Sequence, residues 1–167
     1  MPQQPTVRDA SVGDLEAIFA IYNREVLSGT ATFDTEPRIA GRDDDWLTSR
    51  DPRRHPVLVA DLGDHVAGWA SLSPWSERGG YARTAEVSVY VDAGQRRDGV
   101  GRLLLSAVIQ RGREAGLGVV LARIAGVNEP SVRLFESTGF GHIGTQRRCG
   151  EKLGQVLDVE LMDLHLG

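Results

Sequence analysis

The spacing of hydrophobic and polar residues predicts a chain that alternates between strands and helices. Apolar residues three and four positions apart predict helices, which lie at residues 12–27, 39–49, 102–115 and 128–139. Apolar runs and strict alternation predict strands, which lie at residues 6–10, 57–60, 66–72, 84–91, 119–124, 140–149 and 156–166. The order is β-α-α-β-β-β-α-β-α-β-β. A hairpin turn at residues 62–64 beside a strand–helix–strand crossover predicts an α/β fold, with a central mixed, mostly antiparallel sheet flanked by helices.

Composition and charge narrow the possible classes of function. The chain has 167 residues, of which 41% are hydrophobic, and we expect residues 1–167 to form one domain. A formal net charge of −4 argues against nucleic acid as a partner. No apolar run approaches the ~20 residues of a membrane span, and no secretory signal pattern is present, so we expect a cytoplasmic protein. The single cysteine, Cys149, and scattered histidines predict neither a disulfide nor a metal site.

Residues 96–102, Arg-Arg-Asp-Gly-Val-Gly-Arg, join a predicted strand to a predicted helix. Glycines let backbone N–H groups approach a ligand closely, and a helix N-terminus favours anions, so this segment suits a phosphate or pyrophosphate. A P-loop would need Lys-Ser/Thr where Arg102-Leu103 stands, and a dinucleotide fingerprint would need Gly or Ala where Leu104 stands. ATP and NAD therefore fit poorly. A glycine turn that only starts a helix is the alternative.

Several motifs together resemble the GNAT N-acetyltransferase superfamily. Residues 96–101 match its Arg/Gln-x-x-Gly-x-Gly/Ala pyrophosphate loop, and residues 128–140 resemble its C-terminal motif, in which Asn and Ser precede a helix ending in Gly-Phe. The Val7–Ala10 entry to a long helix matches as well. Further segments resemble the phosphinothricin and methionine sulfone or sulfoximine N-acetyltransferase branch, namely Tyr22-Asn23, Thr35-Glu36-Pro37, Pro74-Trp75 and residues 84–91. The resemblance covers nearly the whole chain.

The resemblance implies a single-domain GNAT fold with acetyl-CoA as co-substrate. The pantetheine arm would pair with a strand backbone, the pyrophosphate would meet the glycine loop, and Asn128 would bind the cofactor arm. Ser131 would either contact the adenine end or cap its helix. The implied cofactor-binding residues are Val89, Tyr90, Val91, Arg96, Arg97, Asp98, Gly99, Val100, Gly101, Arg102, Asn128 and Ser131.

Glu86 is the candidate general base. A primary amine is almost wholly protonated at pH 7, and only its free base attacks a thioester, so a carboxylate must accept a proton directly or through water. Glu86 lies in a strand of otherwise uncharged residues, on the face shared with Ser88 and Tyr90. Without the resemblance, an exposed edge-strand glutamate is the simpler interpretation. A backbone N–H near Val89 is the candidate oxyanion donor.

The general acid is left open by the sequence. Phe135 stands where many members of the superfamily have a tyrosine, so Tyr90, water and direct loss of the thiolate remain alternatives. An acetyl-cysteine route through Cys149 is disfavoured, because the resemblance implies direct transfer.

The acceptor-binding residues implied by the resemblance are Phe33, Trp75, Arg78, Gly79, Gly80 and Tyr81. Arg78 and Arg83 are candidates to hold the acid group of an amino-acid-like amine, because guanidinium groups bind such anions bidentately. Val156 departs from the branch, which often has an aromatic residue there. The resemblance also implies a homodimer. Two alternatives stay open: the same chemistry on a peptide N-terminus, lysine or polyamine, and a non-catalytic acyl-CoA-binding sensor.

Overall fold

The computed structural model describes residues 3–167 and contains one seven-stranded sheet with helices on both faces. The strands are β1 (Thr6–Asp9), β2 (Val57–Asp61), β3 (Val66–Pro74), β4 (Thr84–Val91), β5 (Val119–Ala125), β6 (Gly141–Lys152) and β7 (Gln155–His165). The helices are α1 (Leu15–Ser28), α2 (Asp45–Thr48), α3 (Val100–Glu114) and α4 (Glu129–Ser137). The predicted order of elements and the mixed α/β class are confirmed.

The sheet has the strand order β1-β2-β3-β4-β5-β7-β6. Neighbouring strands are antiparallel except for β4 and β5, which run parallel because α3 crosses over between them. The predicted hairpin is β2–β3, and the last two strands form a longer hairpin than predicted, which turns at Leu153-Gly154. This topology places the parallel pair β4–β5 near the centre of the sheet.

The second helix is shorter than the sequence predicts. The expected helix over 39–49 is reduced to Asp45–Thr48 because aspartate side chains bind backbone N–H groups of the preceding turns. Asp43 accepts from the Ile39 N–H at 2.7 Å, and Asp44 accepts from the Gly41 N–H at 2.6 Å. Gly41 has a φ of +89°, which a helix does not allow. The prediction of a full helix was therefore wrong.

Two apolar clusters cover the two faces of the sheet. On one face, α3 and α4 pack on alternate strand residues that include Ala85 and Val87. On the other face, α1 packs on residues that include Val59 and Trp69, with Tyr90 at its margin. The alternation predicted for β4 is confirmed, since Val87 faces the first cluster and Tyr90 faces the second. The β4 side chains on this second face, which include Tyr90, therefore lie on the same side of the sheet as α1.

The start of the first helical segment is fixed by charge. The Asp14 carboxylate accepts from the Ser11 N–H at 2.7 Å, and the Arg8 guanidinium donates to it at 2.8 and 2.9 Å. These contacts with Arg8 lower the pKa of Asp14 to about 2, although burial opposes the shift. Asp14 thus anchors the N-terminal strand to the helix that follows.

In the part of the chain that the structure describes, no helix has the length and apolar character required to cross a bilayer.

Candidate active site

Strands β4 and β5 separate at the centre of the sheet. Their parallel pairing extends from Thr84 and Val119 to Glu86 and Leu121, although β4 continues to Val91 and β5 to Ala125. Within residues 3–167, the far half of β4 is therefore paired with β3 on one side only. The backbone groups on the other side face a cleft and can bind an extended ligand as an added strand would. Val89, Tyr90 and Val91, predicted to bind the pantetheine arm, lie on this open stretch.

The glycine loop leads into the N-terminus of α3. This N-terminus lies close to Val91, where the open stretch of β4 ends. Arg97 and Gly99 have left-handed backbone with φ of +72° and +79°, and α3 begins at Val100. This conformation presents successive N–H groups at a helix N-terminus, which is the geometry that binds phosphate oxygens. Arg97, Asp98 and Arg102 are exposed around it. Arg96 is instead engaged by Glu25 of α1 at 3.0 Å.

Gly101 has a packing role. A Cβ there would lie 3.3 Å from Leu134 of α4 and 3.5 Å from Val91 of β4. A Cβ at this position would therefore be in tight contact with Leu134, and glycine avoids that contact. The second glycine of the motif therefore sets the position of the helix N-terminus relative to the end of β4.

Asn128, and not Ser131, caps α4. The Asn128 side-chain oxygen accepts from the Ser131 N–H at 3.3 Å, and Pro130 lies in the first turn. The alternative that Ser131 caps the helix was wrong, because Ser131 is the third residue of α4. The predicted contacts of both residues with the cofactor remain predictions.

Glu86 lies where the cleft begins, at the last position of β4 that pairs with β5. Its side chain is 22% exposed and forms an ion pair with Arg123 of β5 at 2.5 Å. The Arg123 guanidinium also lies over the ring of Trp75, 5.3 Å from its centroid. An exposed edge-strand glutamate is excluded, since β4 lies between β3 and β5. Arg123 thus contacts both the candidate base, Glu86, and a candidate acceptor-binding residue, Trp75. The sequence did not identify this arginine.

The candidates for a general acid are in different surroundings. Phe135 is buried at 7% exposure, with its ring 5.0 Å from that of Phe140, so this position belongs to the core and supplies no acid. The Tyr90 ring stacks on Trp69, and its hydroxyl donates to the Ala31 carbonyl at 3.4 Å. Burial raises the pKa of Tyr90 above its usual value, so the hydroxyl keeps its proton at neutral pH.

The segment between α1 and α2 crosses the face of the sheet that carries Trp69 and Tyr90, and Lys152 hydrogen-bonds to it. The Lys152 ammonium donates to the Glu25 carbonyl at 2.8 Å and the Thr32 carbonyl at 2.7 Å, and the residue is only 5% exposed. Burial lowers the pKa of this ammonium. Phe33 packs against Gly150 of β6 in the same region. Open grooves of about 500 and 390 Å³ flank this segment, and Phe33 lines the smaller one.

The other residues predicted to bind the acceptor substrate, Arg78 to Tyr81, form an exposed turn. Arg78 precedes a short 3-10 turn over Gly79–Tyr81, and its N–H donates to the Ser76 hydroxyl at 3.2 Å. Arg83, the other arginine considered for the acid group of the acceptor, instead donates to the Gly116 carbonyl at 3.2 Å. Because Gly116 follows α3 and precedes β5, this guanidinium binds away from the cleft. Arg83 is therefore removed as a candidate.

Two further residues from the sequence analysis, Cys149 and Val156, are exposed. Cys149 is exposed on β6, with its sulfur 3.5 Å from the Gln146 carbonyl oxygen. Val156 is exposed at the start of β7. Among the described residues, no group of three or more His, Cys, Asp or Glu side chains is arranged to hold a metal ion.

The sequence reasoning missed Arg123 and Lys152. Arg123 was visible as a charged residue at an alternate position of an apolar strand, and Lys152 as the one lysine among 19 basic residues. Neither signal indicates a partner, because each side chain meets residues far away in the sequence.

Comparisons with known proteins agree with this geometry. Residues 15–140 match the Acetyltransferase (GNAT) family. The chain is 39% identical over 162 residues to an L-methionine sulfoximine/L-methionine sulfone acetyltransferase of Pseudomonas aeruginosa, a match that covers 96% of this chain and 94% of the relative.

Two solved structures are similar in both sequence and fold. A Sinorhizobium meliloti GNAT superfamily phosphinothricin acetyltransferase in complex with acetyl-CoA has a TM-score of 0.90 and 32% identity, covering 98% of this chain and 89% of the other. A ribosomal-protein-alanine N-acetyltransferase from Brucella melitensis has a TM-score of 0.92 and 35% identity, covering 96% and 99%.

Proposed function

Since this chain belongs to the acetyltransferase (GNAT) family and is an acetyl-CoA-dependent N-acetyltransferase, we propose that it acetylates the primary amine of a small amino-acid-like acceptor. Phosphinothricin, methionine sulfone and methionine sulfoximine are the proposed acceptor types, and transfer is direct. The observation that carries the proposal is the parallel pair β4–β5, which opens immediately beyond Glu86.

The donor side of the proposal rests on backbone geometry. The unpaired edge of Val89–Val91 offers N–H and C=O groups to the amide-bearing pantetheine arm. The turn from Arg97 to Arg102 offers N–H groups and a helix N-terminus to the pyrophosphate. Both features belong to the residues predicted to bind acetyl-CoA, so the site fits that co-substrate. When bound, acetyl-CoA supplies an activated acetyl thioester.

The acceptor side rests on Glu86. Its carboxylate lies where the two strands separate, so it can accept the proton that the acceptor ammonium must lose before its nitrogen attacks. Backbone N–H groups of the open β4 stretch near Val89 are positioned to donate to a developing oxyanion. Phe135 supplies no acid, and the Tyr90 hydroxyl already donates to the Ala31 carbonyl, so we propose that the thiolate departs unassisted or takes a proton from water.

We further propose that residues 1–167 form one N-acetyltransferase domain, because β1 and β7 from opposite ends of the chain belong to the same sheet. A cytoplasmic location, expected from the sequence, and a homodimer, implied by the family resemblance, are part of the same proposal.

The test follows thiol release from acetyl-CoA with methionine sulfone, methionine sulfoximine and phosphinothricin as acceptors. Glu86→Gln lowers kcat by about 10²–10⁴-fold, because the amide accepts no proton, and leaves acetyl-CoA affinity unchanged. Glu114→Gln, an exposed glutamate at the end of α3, is the matched control and retains full activity. An unaltered kcat in the Glu86 variant would remove this residue from the mechanism.

A second candidate acceptor is a protein N-terminus, since the Brucella melitensis structure bears the name of a ribosomal-protein-alanine N-acetyltransferase. The same assay with alanine-initiated peptides separates the two. Turnover of peptides without turnover of free amino-acid analogues would favour the second candidate. Tight CoA binding without thiol release from any acceptor would indicate an acyl-CoA-binding sensor.

A further inference from the structure

Among residues 3–167, Arg123 is the one guanidinium that forms an ion pair with the candidate base, Glu86. It lies on the same face of the sheet as Glu86, because Leu121 pairs with Glu86 and Arg123 is two residues further along β5. The contact is 2.5 Å, and the ring of Trp75 supports the guanidinium plane at 5.3 Å. Yet the Arg123 side chain is still 53% exposed. A guanidinium has five N–H donors, so this one keeps donors that face solvent at the mouth of the cleft.

We propose that Arg123 binds the acid group of the acceptor, and that it releases Glu86 as it does so. The inference rests on the proposed function, and it identifies which residue selects an acid-bearing amine. An amino-acid-like acceptor has an ammonium and an acid group a few atoms apart. Glu86 and Arg123 present the complementary charges side by side. The acceptor therefore satisfies both residues when its ammonium meets Glu86 and its acid group meets Arg123.

The exchange requires little energy because the resting ion pair is partly solvated. A carboxylate–guanidinium pair that water reaches contributes little net stability, so a second carboxylate can compete for the guanidinium. Trp75 keeps the guanidinium plane in place during the exchange, since its ring contact does not depend on Glu86. In this way the acceptor frees the carboxylate that deprotonates it, and an amine without an acid group does not.

Two other arginines, Arg50 and Arg83, are less suitable because their nitrogens already bind backbone carbonyls. Arg50 is partly buried, and its nitrogens donate to the Trp46 and Leu72 carbonyls at 2.7 Å and to the Ser73 hydroxyl at 3.1 Å. These contacts fix it between α2 and β3. Arg83 binds the Gly116 carbonyl. Arg123 combines exposure with direct contact to Glu86, which is why it is the proposed selectivity residue.

The experiment compares two acceptors that differ only in the acid group, methionine sulfone and its methyl ester. Arg123→Met keeps an unbranched stem but removes the guanidinium group, its charge and its contact with the Trp75 ring. We expect it to lower kcat/KM for methionine sulfone by about ten- to a hundredfold more than for the ester, mainly through KM, since a charge-assisted pair is lost only with the acid. Arg123→Lys restores part of the selectivity. Arg113→Met, at an exposed arginine of α3, is the control and preserves the ratio.

Each outcome of this experiment either supports or overturns the inference about Arg123. A wild-type enzyme that acetylates methionine sulfone, with an acid-to-ester ratio that Arg123→Met leaves unchanged, overturns the inference alone and leaves the proposed function standing. Equal losses on both acceptors also overturn it, because Arg123 would then only position Glu86. A wild-type enzyme that acetylates neither acceptor overturns the proposed function and this inference with it. Selective loss on the acid, with unchanged acetyl-CoA affinity, supports it.

Discussion

Replacing Lys152 with methionine tests how the segment between α1 and α2 is held. Lys152 is 5% exposed, and its ammonium donates to two carbonyls, of Glu25 at 2.8 Å and of Thr32 at 2.7 Å. Each charge-assisted hydrogen bond is worth about 1.5–3 kcal/mol. Methionine fills similar volume and avoids the cost of burying an ammonium, which offsets part of the loss. We therefore expect the free energy of unfolding to fall by about 2–3 kcal/mol.

The assay is urea unfolding at pH 7, together with amide hydrogen exchange over residues 29–37. Exchange there should accelerate, because the Thr32 carbonyl loses its anchor while the sheet stays paired. Arg147→Met is the control, since it removes one exposed positive charge from the same hairpin. If Lys152→Met changes the unfolding free energy no more than the control does, the two hydrogen bonds do not hold the segment and the reasoning is wrong.

Two further predictions concern other parts of the structure. Asp14→Asn lowers the free energy of unfolding by about 1–2 kcal/mol at pH 7. Because Arg8 lowers the pKa of Asp14 to about 2, the wild-type protein loses this advantage as the pH falls below about 4 towards that value. Urea midpoints of the two proteins that stay equally far apart from pH 7 to pH 3 would contradict this. Gly150→Ala displaces the Phe33 ring, which a Cβ at this position would overlap. We expect KM for the acceptor to rise about three- to tenfold without a change in acetyl-CoA affinity, and the same KM in Gly150→Ala and Cys149→Ala would show that Phe33 does not contact the acceptor.

Much of the fold follows from local patterns. The helix over Leu15–Ser28 and the strand over Thr84–Val91 were predicted because their apolar periodicity is strong and uninterrupted. The glycine loop was recognised because its residues are contiguous, so their chemistry is visible without a structure. The second helix was overestimated because apolar spacing does not reveal that Asp43 and Asp44 bind the backbone of their own turn.

The surroundings of Glu86 required the tertiary structure. The sequence places Glu86 on a strand face, but an edge strand and a central strand have the same periodicity. Only the parallel pairing of β4 with β5 shows that Glu86 occupies the last position of β4 that pairs with β5. The same pairing brings Arg123 within 2.5 Å of Glu86, although the two residues are 37 positions apart in the sequence. The alternation within either strand does not predict this contact.

The sequence by itself determined the order of elements, the face on which each strand residue lies, and the family, because periodicity and contiguous motifs are local properties. The tertiary structure decided which strands separate, which arginine meets the base, and what anchors the segment over the aromatic face. Glu86 with Arg123, and Lys152 with the carbonyls of Glu25 and Thr32, are such contacts. They depend on strand register and on side chains that meet across long stretches of chain, and local periodicity holds no information about either.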